Sequence, residues 1–211
     1  MKNTEQIDFW QGDFGKEYTI RNSYSQSEWD QFYIKTWGIS RIDMNQKCIG
    51  NLPKESKILE VGSNIGIQLG CLQRMGFENL YGIELQKDVV ELSKKNTENI
   101  NIIYGSAFDI PFKDKYFDIV FTSGVLIHIA PEDLSNVMDE MVRCSSKYIW
   151  GFEYFDNEIT DLKYRGNTGF LWKADYAKFF LNRFHDLSLV NKDFYKYIEN
   201  DNVDCMYLLS K

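Results

Sequence analysis

Only two histidines and three prolines occur in the 211 residues, and the four cysteines stand far apart. Cys48, Cys71, Cys144 and Cys205 form no C-x-x-C pair and have no histidine at metal-ligand spacing. Neither a metal site nor a disulfide framework is indicated, and four reduced, mostly buried thiols are expected. No apolar run approaches the roughly 18 residues needed to span a bilayer. The opening stretch MKNTEQIDFWQGDFGKEY holds no continuous apolar core of a signal peptide, so a cytoplasmic location without a membrane partner is expected. Positive charge is also in short supply. Lys and Arg number 24 against 31 Asp and Glu, a net charge of −7, which argues against a nucleic-acid partner while leaving room for a local basic pocket. There is no nucleophile elbow, and only His128 and His185 can supply imidazole, so Ser-His-Asp and zinc-hydrolase chemistry lack their residues.

The chain is long enough for one domain that buries roughly 70% of its unfolded surface, and it is rich in aromatic residues, 16% of the total. No internal repeat or long linker interrupts it. From residue 57 onward, short β-like runs alternate with helical segments, the pattern of an α/β domain with a mostly parallel sheet. Strands are predicted at 57–61, 80–84, 101–104, 117–122, 148–152, about 187–191 and 205–210. Asp88 and Glu91 have capping-box spacing for a helix over 89–95. Pro131, Glu132 and Asp133 suit a helix first turn, followed by Leu134, Val137, Met138, Met141 and Val142 on one face. Trp172, Tyr176, Phe179 and Phe180 predict a similar aromatic face, and Trp29, Phe32, Tyr33 and Trp37 mark an amphipathic helix ahead of the sheet.

The strongest local signal is KILEVGSNIG, residues 57–66: an apolar strand, a glycine turn and then a helical stretch. Glycine lets backbone approach a ligand closely, and the following helix offers unpaired amide hydrogens. The spacing Glu60-x-Gly62-x-Asn64-x-Gly66 matches neither G-x-G-x-x-G nor the P-loop, and no lysine follows, which disfavours a nucleoside triphosphate. The next strand ends in Glu84, eighteen positions after Gly66, where an acid can accept hydrogen bonds from ribose hydroxyls. Close strand–helix packing with a solvated strand-end acid is the competing reading, and the turn alone does not separate the two.

Further strand ends carry GSAFDIPF (105–112) and TSGVLIHIAPEDL (122–134). With EVGSNIG and GIEL, in this order and at these distances, they resemble the class I S-adenosylmethionine-dependent methyltransferases over most of residues 57–152. The resemblance implies a Rossmann-like α/β fold: a seven-stranded, mostly parallel sheet of order 3-2-1-4-5-7-6 with the last strand antiparallel, helices on both faces and an N-terminal helical cap. It implies S-adenosylmethionine as cofactor, with S-adenosylhomocysteine as product. Glu60, Gly62, Ser63, Asn64 and Gly66 would line the methionine moiety, and Glu84 would accept the ribose hydroxyls. Leu85, Ser106 and Ala107 would border the adenine. Asn64 replaces the usual middle glycine, a residue that still tolerates positive φ, and Ser106 replaces a frequent acid.

The flanks FWQGDFGKEYTIRN (9–22), EYF (153–155), YRGN (164–167) and LWKADY (171–176), taken with the core motifs, look like the methylases associated with pseudaminic acid biosynthesis. That narrower resemblance implies a small-molecule acceptor, possibly acidic, such as a nine-carbon sugar acid. Another metabolite methylated on O or N, or a cofactor-binding protein without transfer activity, are the alternatives; an NAD-linked reductase is disfavoured by the turn spacing and by the lack of Tyr-x-x-x-Lys. Residues 1–211 form one methyltransferase domain on this reading, with a cap or lid at 1–50, a core at 57–211 and an acceptor-binding insertion at about 153–175. Tyr18 and Arg21 would reach the cofactor, and Asn22, Tyr164, Arg165 and Trp172 the acceptor. Arg165 is the candidate for a substrate carboxylate, because its fork donates two parallel hydrogen bonds. His128, at the exit of the fourth strand, has an ordinary pKa suited to a general base; the competing role is to satisfy loop backbone. Glu153 and Tyr154 are further catalytic candidates, with a solvated strand-end acid as the alternative for Glu153.

Overall fold

The computed structural model describes residues 4–211, so the first three residues of the expected cap lie outside the described residues. A seven-stranded sheet is formed by β1 (Lys57–Val61), β2 (Asn79–Glu84), β3 (Asn101–Tyr104), β4 (Phe117–Ser123), β5 (Ser145–Tyr154), β8 (Ser188–Lys196) and β9 (Val203–Ser210). Its order is β3-β2-β1-β4-β5-β9-β8. The first five strands pair in parallel and β9 runs antiparallel between β5 and β8. This is the arrangement of the class I methyltransferase fold. The remaining strands, β6 (Thr160–Asp161) and β7 (Trp172–Lys173), form a small hairpin outside the main sheet.

The central strands are buried on both faces, which is why they read as near-continuous apolar runs. Ile119 and Phe121 of β4 face one layer, with Ile58, Trp150 and Leu208, while Val120 faces the other with Ile149, Val137 and Phe180. Alternation along one strand thus serves two cores. Helices α5 (Ile67–Arg74) and α6 (Lys87–Asn96) are the crossovers from β1 to β2 and from β2 to β3, and α7 (Leu134–Cys144) is the crossover from β4 to β5; α8 (Tyr176–Arg183) precedes β8. On α7 the expected face is buried throughout, from Leu134 to Val142.

Three local expectations change. Helix α6 starts at Lys87, so Asp88 lies inside its first turn; the N-cap is Gln86, whose side chain makes no capping bond. The expected box at Asp88 therefore does not form. Trp172 belongs to β7, not to the α8 face, where Tyr176, Ala177 and Phe180 are buried and Phe179 is half-buried. Residues 131–133 precede α7 as a turn.

The cap holds four helices, α1 (Glu5–Gln11), α2 (Asp13–Arg21), α3 (Gln26–Trp37) and α4 (Arg41–Ile49). Helix α3 opens with a complete capping box, in which Ser25 accepts from the Glu28 amide while Glu28 reaches back to Ser25, and it closes at Gly38 in the left-handed region at φ 75°. Helix α4 packs into the sheet layer through Met44 and Ile49, both essentially inaccessible. Among the described residues, no helix is long and apolar enough to cross a membrane, and all four cysteines are free and buried.

Phe121 is fully buried with its ring 4.4 Å from that of Trp150. Phe121→Ala is expected to cost about 3–5 kcal/mol in urea denaturation, whereas Ile20→Ala, at a position 76% exposed, should change stability by about 0.5 kcal/mol or less.

Candidate active site

The carboxyl ends of β1, β2 and β4 open into a cleft of about 1180 Å³, its open mouth included, roofed by α1 and α2. Its floor is the glycine turn. Gly62 (φ 77°) and Gly66 (φ 81°) occupy the left-handed region, and Asn64 joins them at φ 47°, the conformation Asn tolerates among non-glycine residues. A Cβ on Gly62 would come within 2.7 Å of the Val125 side chain. The glycine therefore lets the loop after β4 close against the turn, so the packing reading of Gly62 holds beside the ligand reading. Asn64 braces the turn and the cap together: its Oδ1 accepts from the Ile65 amide at 2.7 Å and its Nδ2 donates to Thr19 of α2 at 3.0 Å.

Glu84 ends β2 with 6% of its surface exposed. Its two oxygens accept from the Asn64 and Gln86 amides, each at 2.9 Å. The Leu85 amide and the Gln86 side chain also favour its charged form, and as a cleft-lining carboxylate it is an acceptor for hydroxyl donors. Burial pushes its pKa up, against the pull of those amides. Glu60 is 3% exposed, and burial raises its pKa well above the usual range, with Arg41 pulling the other way and Glu84 adding to the rise.

Four buried polar atoms at this cleft have no hydrogen-bond partner: the acceptors Glu60 Oε2 and Gln86 Oε1, and the donors Trp10 Nε1 and Trp29 Nε1. Orphaned groups of both kinds are costly unless a ligand satisfies them. A ligand with an ammonium, hydroxyls and a carboxylate meets that requirement, and S-adenosylmethionine carries all of these. The residues present fit the cofactor.

The loop after β4 brings His128 to the cleft wall on a short 3-10 turn, Leu126–His128. Its Nδ1 lies 2.7 Å from the Phe170 carbonyl oxygen. A carbonyl only accepts, so Nδ1 carries the proton and Nε2 is left with an acceptor lone pair. Trp10 and Tyr164 stand against the imidazole, with ring centroids at 4.5 and 5.4 Å. Burial pushes the pKa down to about 4, although the Phe170 bond favours the charged form. The ordinary histidine pKa expected for a general base is thus corrected: His128 is neutral throughout the physiological range.

Glu153 neither lines the cleft nor meets solvent. It is 1% exposed and lies beneath the loop, accepting from the Val125 amide at 3.2 Å and the Ile127 amide at 3.4 Å. Burial drives its pKa up to about 7. Both the expected catalytic contact and the solvated alternative give way to a role in holding the His128 loop. Tyr154 is displaced from the cleft as well, half-buried against Tyr197.

Of the residues expected at the cofactor, Glu60, Gly62, Ser63, Asn64, Glu84, Leu85, Ser106, Ala107 and Tyr18 line the cleft, and so does Asn22. Gly66 caps α5 behind it. Arg21 lies outside the lining, paired with Glu17 at 3.3 Å and set over the Phe14 ring. Arg165 is exposed at the tip of a tight hairpin whose ends, Tyr164 and Asn167, exchange backbone bonds; with Gly166 it supplies the two positive-φ positions such a turn demands. It is not among the residues that line the cleft. Trp172 is buried in β7, where its carbonyl accepts from Tyr176, and Tyr164 is outside the cleft lining, with its ring against those of His128 and Phe14. Sequence reasoning missed Gln68, Gln86 and residues 123–125, all in the lining. The rule that ligands sit beyond strand carboxyl ends points to 123–125; nothing local marks Gln68.

Comparison with known proteins matches residues 59–147 to the methyltransferase domain family. An uncharacterized methyltransferase of Staphylococcus carnosus (strain TM300) is 30% identical over 151 residues, 69% of this chain and 66% of that protein. The glycine/sarcosine/dimethylglycine N-methyltransferase of Actinopolyspora halophila is 26% identical over 151 residues, but the chain spans only 26% of its length. Among solved structures, magnesium protoporphyrin IX methyltransferase from Synechocystis PCC 6803 with SAM bound superposes with a TM-score of 0.68 at 12% identity, covering 100% of this chain and 99% of that one.

The two perturbed groups under the loop oppose each other in their effect on stability. The unfolded chain protonates His128 near pH 6.5 and the folded protein only near pH 4, so this contribution is present above pH 6.5 and lost as pH falls towards 4. Folded Glu153 keeps its proton up to about pH 7 and the unfolded chain releases it near 4.5, so that contribution is present below pH 4.5 and lost as pH rises to 7. In urea denaturation, Glu153→Gln should therefore gain stability relative to the wild type as pH rises from about 4.5 to about 7; parallel curves would contradict the assignment.

Proposed function

With a class I S-adenosylmethionine-dependent methyltransferase domain in this chain, we propose that it transfers a methyl group to a hydroxyl of a small polar acceptor, a sugar or sugar acid of the pseudaminic or sialic type. The observation that carries this reading is the tautomer of His128. Its Nδ1 proton is committed to Phe170, so Nε2 is available to take a hydrogen bond from an acceptor hydroxyl. The neighbouring Trp10 ring supplies an apolar wall for a sugar face. The flanking motifs that look like pseudaminic-acid-associated methylases support the sugar class.

When bound, the cofactor supplies a methyl carbon activated by a positively charged sulfur, and displacement there needs the nucleophile in line. The residues of this chain do the positioning. Glu84 accepts the ribose hydroxyls, Glu60 the methionine ammonium, and Ser106 and Ala107 border the base. His128 orients the acceptor hydroxyl and receives its proton as the oxygen becomes positive. With a pKa of about 4, it is a weak base that acts late in transfer and stays unprotonated between turnovers.

An amine acceptor is the second reading. Among the described residues lining the cleft there is no Lys or Arg, whereas Glu60 and Glu84 are both there, a balance that suits a cationic or neutral acceptor better than a carboxylate. The N-methyltransferase named for the Actinopolyspora halophila relative is in keeping with it.

The expected cap divides in two on this reading. Helices α1 and α2 act as a lid, held by side-chain bonds from Gln6 to the Gly169 carbonyl and from Gln11 to the Leu85 carbonyl and by the Phe9–Phe170 stack. Helix α4, rooted in the core, stays fixed. Hydrogen exchange should slow over residues 5–21 on adding S-adenosylhomocysteine and stay the same over 41–49; unchanged exchange over 5–21 would count against a lid.

Mass spectrometry with a methyl-labelled donor and parallel panels of free and nucleotide-activated sugar acids, neutral sugars and small amines tests the acceptor. One methyl gain on a sugar oxygen is expected. Methylation confined to amines would favour the second reading, and no product from any panel would contradict both. With the acceptor so found, His128→Ala should lower kcat/KM about 100-fold while affinity for S-adenosylhomocysteine stays within about threefold; an unchanged kcat/KM would remove His128 from the chemistry.

A further inference from the structure

Arg41, the first residue of α4, has no exposed surface and makes no direct salt bridge among the described residues, although its charge lowers the pKa of the buried carboxyls Glu60 and Asp204. Its guanidinium instead donates to three neutral oxygens: Nε to Gln68 Oε1 at 3.1 Å, one terminal nitrogen to Tyr33 Oη at 3.2 Å, and the other to Ser123 Oγ at 3.1 Å. It lies over the Phe152 ring at 4.2 Å, a cation–π contact that offsets part of its desolvation. A buried cation without an ion pair is kept only where the surroundings use its charge or its donors. Two of its three acceptors, Gln68 and Ser123, line the cleft floor, and so does Glu60. Gln68 is tied further to Asn45 of α4 at 3.3 Å, so one network joins the fixed part of the cap, α5 and the end of β4.

Arg41 also acts on Glu60, drawing its pKa down while burial and Glu84 push it up. Glu60, which lines the cleft and keeps Oε2 without a partner, thus lies in the field of the Arg41 charge. We infer that Arg41 is a positioning residue for the amino-acid end of the cofactor: its guanidinium holds Gln68 and Ser123 at the cleft floor and provides the positive potential opposite the Glu60 carboxylate. The inference rests on reading the cleft as the cofactor site. It makes the N-terminal helices part of that site, through a residue that does not touch the ligand cleft itself.

Two ligands separate this role from a general structural one. S-adenosylhomocysteine has the amino-acid end, and 5′-methylthioadenosine shares the adenosine and sulfur but lacks it. In isothermal titration, wild-type protein should bind both. Arg41→Met should bind S-adenosylhomocysteine roughly tenfold or more weakly and keep 5′-methylthioadenosine within about threefold. Arg41→Lys, which keeps the charge but loses the fork, should fall between wild type and Arg41→Met for S-adenosylhomocysteine. Equal weakening of both ligands, or no weakening of either, would overturn the inference. Should Arg41→Met not fold, Arg41→Lys decides by the same comparison. A wild-type protein that binds neither ligand would overturn the cofactor reading itself, an outcome distinct from failure of the Arg41 variants.

Discussion

Burial of charge at the carboxyl edge of the sheet is the constraint on which the rest of the molecule depends. Glu60, Glu84, Glu153 and Asp204 are each 6% exposed or less, and Arg41 among them is fully buried. Burial raises the pKa of every one of these carboxyls. Such groups persist only where hydrogen bonds or a ligand compensate for lost water. Glu84 and Glu153 are compensated by backbone amides, and that accounting fixes two loops: the glycine turn against β2, and the His128 loop against β5. Glu60 keeps an oxygen without a partner, and it does so at the cleft, where a cationic ligand group can supply what is missing.

The same constraint explains the cap. A sheet edge carrying this many desolvated groups must be covered. The helices ahead of β1 do that in two ways: α3 and α4 seal one side with apolar side chains and the Arg41 network, while α1 and α2 cover the cleft with rings. Phe9, Trp10, Phe14 and Tyr18 pack on one another and on Phe170, Tyr164 and His128. This enclosure is dry enough to depress the His128 pKa to about 4, while the bond to the Phe170 carbonyl fixes which imidazole nitrogen is free. Aromatic content that serves packing elsewhere becomes here the wall of the cleft.

The strands were legible because burial on both faces writes itself as apolar runs such as KILEV and FDIVF, and the glycine turn because positive φ leaves few residue choices. The order of the sheet came from the motif series, since no local pattern encodes which strand lies beside which. Side-chain roles were harder to read. No local pattern singles out Arg41 or Gln68, and Glu153 reads as readily as a strand-end acid; only the tertiary packing removes them from water. Arg165 shows the opposite case, because the tight hairpin 164–167 leaves it exposed and outside the cleft lining. The Asp88 box failed because the helix starts two residues earlier, with Gln86 as its N-cap.

The account stands on the cleft being the seat of S-adenosylmethionine, with its ribose on Glu84 and its amino-acid end towards Glu60. A crystal structure of the complex with S-adenosylhomocysteine tests this most directly. The account predicts both ribose hydroxyls within hydrogen-bond distance of the Glu84 carboxylate, the ammonium within reach of Glu60 Oε2, and the sulfur on the same side of the cleft as His128. Electron density for the ligand outside this cleft, or within it but with the ribose away from Glu84, would contradict it.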